Sequence, residues 1–249
     1  MASPLTRYDH RRQSQGGNQR GRGRIRSDET SRVQLSRRLT YALRHGAAEL
    51  GLSMRPDGFV RLEELLSVPR FRDVSADQVQ QVVAADDKGR MTIVPDGDER
   101  GGGGFFIRAN QGHSLRGVID EEALLTRVED PAEIPVCVHG TFLKHWPSIR
   151  DQGLRRMDRT HIHFAAGLPG ESGVISGMRS TCEVLIYIDV AAAMANGVKF
   201  FRSSNNVILT AGEDGVLSPA YFSSVQGVDR AGDVGLQRDH GRLGGVARK

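Results

Sequence analysis

Two short stretches carry most of the chemistry this chain could perform: His139-Gly140-Thr141, and Arg159-Thr160-His161-Ile162-His163-Phe164. Val136 to Val138 is apolar and β-branched, so it reads as a buried strand that delivers His139 to its end. Gly140 then allows backbone to approach a ligand closely. A strand over His161–Phe164 has a side-chain period of two, which puts His161 and His163 on one face. Strand-borne imidazoles beside a lone arginine on one surface suit binding and catalysis on an anionic reactant. The three histidines His139, His161 and His163 could instead bind a metal, but no Asp or Glu accompanies them at ligand spacing.

Other residues add to the same inventory. Arg44-His45, Arg90, and Arg108 with Gln111-Gly112-His113-Ser114 supply guanidiniums, imidazoles, an amide and a hydroxyl. A guanidinium offers a planar fork to a phosphate and keeps its charge near neutral pH. One arginine alone is more often a solvated surface residue; the combination with histidines points to an anionic substrate.

The elements that must position these residues fall into two groups. Leu35, Leu39, Leu43 and Ala47 recur every four residues and describe one apolar stripe of a helix over Val33–Leu50, with Arg37, Arg38, Arg44 and His45 off the stripe. Pro56-Asp57-Gly58 is a turn signal, Phe59-Val60 a short extended piece, and Leu62–Leu66 a short helix. Ser75 with Gln78 matches a capping box and starts a helix through about Ala85. Strands over Arg90–Val94 and Phe105–Ala109, joined by a Gly-rich connection, form a hairpin. Helices followed by a hairpin suggest a winged-helix module.

The pattern changes near Pro131. Strands at Val136–His139, His161–Phe164, Val184–Ile188 and Val207–Thr210 alternate with one helix, Lys144–Gln152, which Gly153 ends. Gly167, Gly170, Gly173 and Gly177 crowd a long connection whose backbone could wrap a phosphate or ribose. A small α+β domain with a loop-lined cleft fits this pattern. Neither a G-x-G-x-x-G fingerprint opening a helix nor a P-loop is present.

The chain has 249 residues, 38% hydrophobic and 26% charged, enough for two modest domains and too polar for a membrane protein. No run reaches spanning length, and no secretory h-region opens the chain, so a cytoplasmic or nuclear location is expected. The two cysteines, Cys137 and Cys182, lie in apolar runs and read as reduced core residues. The net charge of +4 is unevenly spread. Arg7, Arg11, Arg12, Arg20, Arg22, Arg24, Arg26 and Arg32 lie among Gly, Gln and Ser, so residues 1–30 read as a disordered basic arm that attracts nucleic acid or merely solubilises the chain. Residues 226–249 read as a second tail.

Taken in order, Gln34-Leu-Ser-Arg-Arg-Leu, Leu43-Arg-His, Gln111-Gly-His-Ser, His139-Gly-Thr, Arg159-Thr-His-Ile-His, Val174-Ile-Ser-Gly-Met-Arg and Phe201-Arg-Ser-Ser-Asn-Asn-Val resemble the RNA (tRNA) 2′-phosphotransferases over Val33–Phe222. The resemblance implies an α+β chain divided into arm (1–30), winged-helix RNA lobe (31–128), NAD-binding lobe of ADP-ribosyltransferase type (129–225) and tail (226–249). It implies an enzyme, expected to be a monomer, that uses NAD⁺ and no metal to remove an internal 2′-phosphate from RNA such as spliced tRNA. The phosphate attacks the ribose carbon bearing nicotinamide to give ADP-ribosylated RNA. The ribose 2″-hydroxyl then displaces the RNA hydroxyl, releasing ADP-ribose 1″,2″-cyclic phosphate.

By the same resemblance the catalytic residues fall on Arg44, His45, Arg90 and Arg159. NAD binding falls on His139, Gly140, Thr141, His161, His163, Gly177, Met178 and Arg179, and RNA phosphate binding on Arg108, Gln111, His113 and Ser114. Related ADP-ribosyltransferases often place a glutamate on a late strand. Phe201–Thr210 contains no acidic residue, which favours a phosphate nucleophile that arrives already ionised. The alternatives are transfer of ADP-ribose to terminal phosphates of RNA or DNA, and a non-catalytic RNA-binding protein.

Overall fold

The computed structural model describes residues 19–97, 104–115, 117–168, 174, 178–179, 181–228 and 234–235, with backbone alone at 19–28, 121–122 and 234–235. The first helix, α1, spans Gln19–Tyr41 and passes into a π-helical turn over Ala42–Gly46. After a turn, β1 (Val60–Arg61), α2 (Leu62–Ser67) and α3 (Ala76–Ala84) follow. Ser75 and Gln78 close the expected capping box at α3 through reciprocal bonds of 3.2 and 2.9 Å. Strands β2 (Met91–Pro95) and β3 (Phe105–Ala109) complete a three-stranded antiparallel sheet in the order β1-β3-β2.

Leu35, Leu39, Leu43 and Ala47, the stripe read from the sequence, pack with Val60, Leu65, Phe71, Val79, Val82 and Ile107 in one core. Fully burying each large aliphatic or aromatic side chain contributes about 1.5–3 kcal/mol, so this core holds the helices on the sheet. The helix begins at Gln19, inside the segment whose composition reads as an arm; residues 1–18 of that arm lie outside the described residues. Once α1 is nucleated by its buried stripe, each added residue makes a hydrogen bond without a new nucleation cost.

A short helix, α4 (Glu121–Leu124), leads to β4 (Thr126–Val128), β5 (Val138–Thr141), α5 (Trp146–Gln152), β6 (Leu154–Arg155), β7 (Ile162–Ala165) and β8 (Val184–Ile188). Next come α6 (Val190–Ala195), β9 (Phe200–Arg202), β10 (Val207–Thr210), β11 (Val216–Leu217), β12 (Phe222–Val228) and β13 (Val234–Gly235). Eight strands form one sheet in the order β13-β12-β8-β5-β7-β10-β9-β4, and β6 pairs with β11. One face carries the core of Ile162, Phe164, Ile186, Phe200 and Ile208; the other carries Phe201, Val207 and Leu209 with Leu124 and Leu125.

Several boundaries differ from the sequence reading: strands β2 and β7 run Met91–Pro95 and Ile162–Ala165, each one residue later than read, and three larger differences have physical causes. β5 begins at Val138, so His139 lies within the strand rather than at its end; Pro135 cannot donate to a ladder and delays pairing. The α-helix starts at Trp146, after a tighter turn over Leu143–His145, with Pro147 in its first turn where a missing N–H costs nothing. β12 continues through Val228, past the start assigned to the tail, because Val225 to Gly227 pair with β8. Cys137 and Cys182 are free, buried thiols, and burial raises both pKa values. No helix among the described residues is long and apolar enough to cross a membrane.

Candidate active site

Arg44 and His45 owe their placement to the π-helical turn, which adds a residue to the turn and changes which side chains share a face. Arg44 is only 9% exposed, although its spacing leaves it off the apolar stripe, whereas His45 is exposed. The Arg44 guanidinium lies over Gly112, where an added Cβ would fall 3.3 Å from Cζ and Nε; the φ of +86° there also suits glycine. Its Nε and Nη2 are buried without a partner among the described residues. Unpaired buried donors are costly, so they call for an anionic acceptor. Burial, then the neighbouring charges of Arg159 and Arg90, lower the Arg44 pKa to about 10, with Asp86 opposing them. Arg44 therefore remains charged at neutral pH.

Arg90 immediately precedes β2. Its backbone N–H donates to Asp86 Oδ2 (2.6 Å) and its Nη1 to Asp86 Oδ1 (2.5 Å). The carboxylate that grips it is only 3% exposed. Arg159 sits on a turn of the second half, where its N–H donates to the Arg156 carbonyl (3.2 Å) and its own carbonyl accepts Arg156 Nη1 (3.0 Å). The next residue, Thr160, donates its N–H to the His113 carbonyl (3.0 Å), tying this turn to the first half. Burial and then Arg179 lower the Arg159 pKa. The structure thus gathers Arg44, Arg90 and Arg159 from both halves of the chain.

Ser114 fixes the neighbouring histidine. Its N–H donates to the Arg44 carbonyl (3.0 Å), and its Oγ lies 2.9 Å from His45 Nδ1. Burial, Arg44 and Arg159, in that order, lower the His45 pKa. Gln111 and His113 are buried, and His113 Nε2 has no partner among the described residues. Burial and the surrounding cations, Arg44 first, push His113 down to about 3, so it is neutral across the working range. Arg108 is held elsewhere: its guanidinium covers the Phe59 ring at 4.6 Å and Nη1 donates to the Asp57 carbonyl (3.1 Å). Its link to the cluster is a charge effect on His113.

The three strand histidines do not share one surface. The His161 ring meets Phe201 at 5.9 Å, and His163 pairs with Leu209, so both lie on the Phe201–Leu209 face. His139 instead meets the Phe164 ring at 5.9 Å on the opposite face, with Nδ1 2.9 Å from the His163 carbonyl. Strand alternation causes the split: Val138 is paired with Ala165, which sets His139 opposite Phe164, one residue out of phase with His163. No group of three or more His, Cys, Asp or Glu side chains among the described residues converges as a metal site. Burial, then Arg159, drives the His163 pKa well down, and its Nε2 has no partner among the described residues.

Around β5, Gly140 is required by close approach: a Cβ there would fall 2.3 Å from Met178 Cγ and 3.0 Å from Cys182 Cβ. Thr141 is buried, with its carbonyl accepting the Glu183 N–H at 2.8 Å. Arg179 lies 5.9 Å from the Phe142 ring centroid. Gly177, Gly170 and Gly173 lie outside the described residues. The sequence reading gave no role to Asp86, whose partners Lys88 and Arg90 lie within four residues, nor to Asn110 and Asn205, which reach the Gly89 and Lys88 carbonyls through tertiary contact.

The sequence model of the RNA 2′-phosphotransferase, Tpt1 / KptA family matches residues 30–212. The chain belongs to the RNA 2′-phosphotransferase family. It is 50% identical over 217 residues to tRNA 2′-phosphotransferase 1 of Danio rerio, covering 86% of this chain and 93% of the relative. It is 53% identical over 205 residues to tRNA 2′-phosphotransferase 1 of Homo sapiens, covering 82% and 79%. To tRNA 2′-phosphotransferase of Saccharomyces cerevisiae it is 36% identical over 184 residues, covering 72% and 78%. The residues of this RNA 2′-phosphotransferase described above, Arg44 through Arg159, all fall inside the matched span.

Proposed function

We propose that this chain removes an internal 2′-phosphate from RNA, as at a tRNA splice junction, with NAD⁺ as co-substrate and through ADP-ribosylated RNA. The observation that carries the reading is the buried Arg44 guanidinium, with two N–H-bearing nitrogens unpartnered among the described residues, set among Arg90 and Arg159. A cluster of like charges is unfavourable by itself, and a phosphate dianion relieves it. We read the helices and three-stranded sheet as a winged-helix lobe with β2–β3 as the wing, and the eight-stranded sheet as the ADP-ribosyltransferase-like lobe. The pairing of β4 with β9 favours drawing the boundary between these lobes before Thr126.

Several features of the second lobe fit NAD⁺. Neutral His163 carries an Nε2 unpartnered among the described residues, suited to a ribose hydroxyl, and Arg179 adds positive charge for a pyrophosphate. His161 shares the face of His163, Gly140 packs against Met178 beside Thr141, and His139 lies on the opposite face; these residues, with Gly177, belong to the NAD⁺ assignment by sequence. Bound NAD⁺ supplies the ribose carbon that accepts the phosphate, with nicotinamide as the group that leaves.

Arg44 and Arg90 hold the 2′-phosphate and orient one oxygen for the first step. In the second, negative charge grows on the phosphorus oxygens, where Arg159 joins the other guanidiniums to stabilise it. His45 protonates the departing RNA 2′-oxygen; its lowered pKa makes its imidazolium a stronger acid. Gln111, His113 and Ser114 shape this pocket, and Arg108 reaches RNA only at its edge. The test is a short RNA with an internal 2′-phosphate, incubated with and without NAD⁺ and in the presence of a chelator, with both products analysed. Loss of the phosphate without NAD⁺ overturns the reading. A product that stays ADP-ribosylated identifies the one-step alternative.

A further inference from the structure

The turn Lys88-Gly89-Arg90 is capped carbonyl by carbonyl. Asn110 donates its backbone N–H to the Arg90 carbonyl (2.9 Å) and its Nδ2 to the Gly89 carbonyl (2.7 Å). The Asn110 Oδ1 is itself occupied by Thr92 Oγ1 (2.8 Å), which fixes the orientation of the carboxamide. The third carbonyl, that of Lys88, is capped from the other half of the molecule: Asn205, on the β9–β10 turn, donates Nδ2 to it at 2.9 Å. Ser203 Oγ donates to Asn205 Oδ1 at 2.7 Å, so this carboxamide too is held from behind. Asn110, Asn205 and Ser203 are 4%, 6% and 4% exposed, and a buried polar group is retained only where its partners are in place.

We propose that Asn205 is a positioning residue: by bonding the Lys88 carbonyl across the two halves, it fixes the turn that carries Arg90 so that Arg90 and Arg44 meet the same phosphate. The proposal rests on the reading of Arg90 as a phosphate-holding residue. Asp86 and Asn110 shape the turn from within the first half, but neither sets its place relative to the eight-stranded sheet. The Asn205 bond does. In the reaction, a phosphate held by the first half must meet a ribose held by the second, and a misplacement of about 1 Å costs on the order of a hundredfold in rate.

A double-mutant cycle in the full chain tests this, with the single-turnover rate of loss of an internal 2′-phosphate from a short RNA as readout at saturating NAD⁺. Asn205→Ala is expected to slow turnover about tenfold to a hundredfold with an unchanged KM for NAD⁺. Arg90→Ala slows it as well. In the double variant, removing Asn205 is expected to cost less than about twofold further, because a residue that acts through Arg90 has nothing left to position. Equal slowing in both backgrounds, or no slowing in either, overturns the proposal. Arg90→Ala with full turnover overturns the role given to Arg90 and the proposal with it, which separates the two failures. If Asn205→Ala yields no folded protein by circular dichroism, Asn205→Ser, polar but too short to reach the Lys88 carbonyl, replaces it in the same cycle with the same expectations.

Discussion

Ser114 Oγ lies 2.9 Å from His45 Nδ1, while the Ser114 N–H donates to the Arg44 carbonyl, so one residue fixes both the ring and the turn that bears it. His45 is otherwise exposed, and an exposed imidazole samples several rotamers. Ser114→Ala removes the restraint on the ring and leaves the backbone bond intact. Turnover should fall about tenfold, a part of the roughly hundredfold to ten-thousandfold that a positioned acid contributes, with the KM values for RNA and NAD⁺ unchanged. Steady-state kinetics with each substrate varied checks this.

The same histidine sets a pH dependence. Its pKa lies below the ordinary histidine value because of burial, Arg44 and Arg159. As the acid of the second step, His45 must be protonated, so kcat/KM should fall as pH rises through that lowered pKa. A bound phosphate dianion opposes the arginine charges, so the corresponding fall in kcat should come at higher pH. Profiles that coincide, or a rate that rises through this range, contradict the role.

Gly112 is where the Arg44 guanidinium approaches backbone, at a φ of +86°. Gly112→Ala adds both left-handed strain, roughly 1 kcal/mol of stability, and a methyl group 3.3 Å from Cζ of Arg44. We expect a weaker grip on the 2′-phosphate, read as a several-fold higher KM for RNA, with little change in KM for NAD⁺.

The sequence exposed the local structure well and the site in part. The stripe Leu35–Ala47 and the Ser75 box are local signals, and both formed as read. The burial of Arg44 was invisible because the stripe assumes 3.6 residues per turn, and the π-helical turn breaks that period. His161 and His163 were placed on one face by strand alternation. His139 was misassigned because its face depends on the register between β5 and β7, which no single strand encodes. Asn205 and Lys88 meet only through tertiary structure, beyond the reach of any spacing argument.

Buried neutral histidines should make the fold acid-sensitive. His113, His139 and His163 all have folded-state pKa values below the unfolded value, by burial first in each case. The unfolded chain therefore binds more protons as pH drops below about 6.5, so stability present above that pH is lost as it falls towards the folded values. Each such group contributes a slope of about 1.4 kcal/mol per pH unit within its window. Urea midpoints measured from pH 7 to pH 4 should decline, and His113→Asn should flatten the decline.

The division of labour between the two steps gives the sharpest test of the catalytic roles. Arg159 and His45 act on charge and a proton that appear when the RNA 2′-oxygen departs, whereas the first step needs a held phosphate and a bound NAD⁺. Arg44 and Arg90 still supply the former when Arg159 or His45 is replaced, since Arg90 keeps its bonds to Asp86 and Arg44 its seat on Gly112. Arg159→Ala and His45→Ala should therefore slow the second step more than the first, by about a hundredfold to a thousandfold for loss of one well-placed charged donor. ADP-ribosylated RNA should accumulate as a shifted band and a matching mass in single-turnover reactions. If both variants stop releasing nicotinamide and no intermediate builds up, Arg159 and His45 serve substrate binding instead.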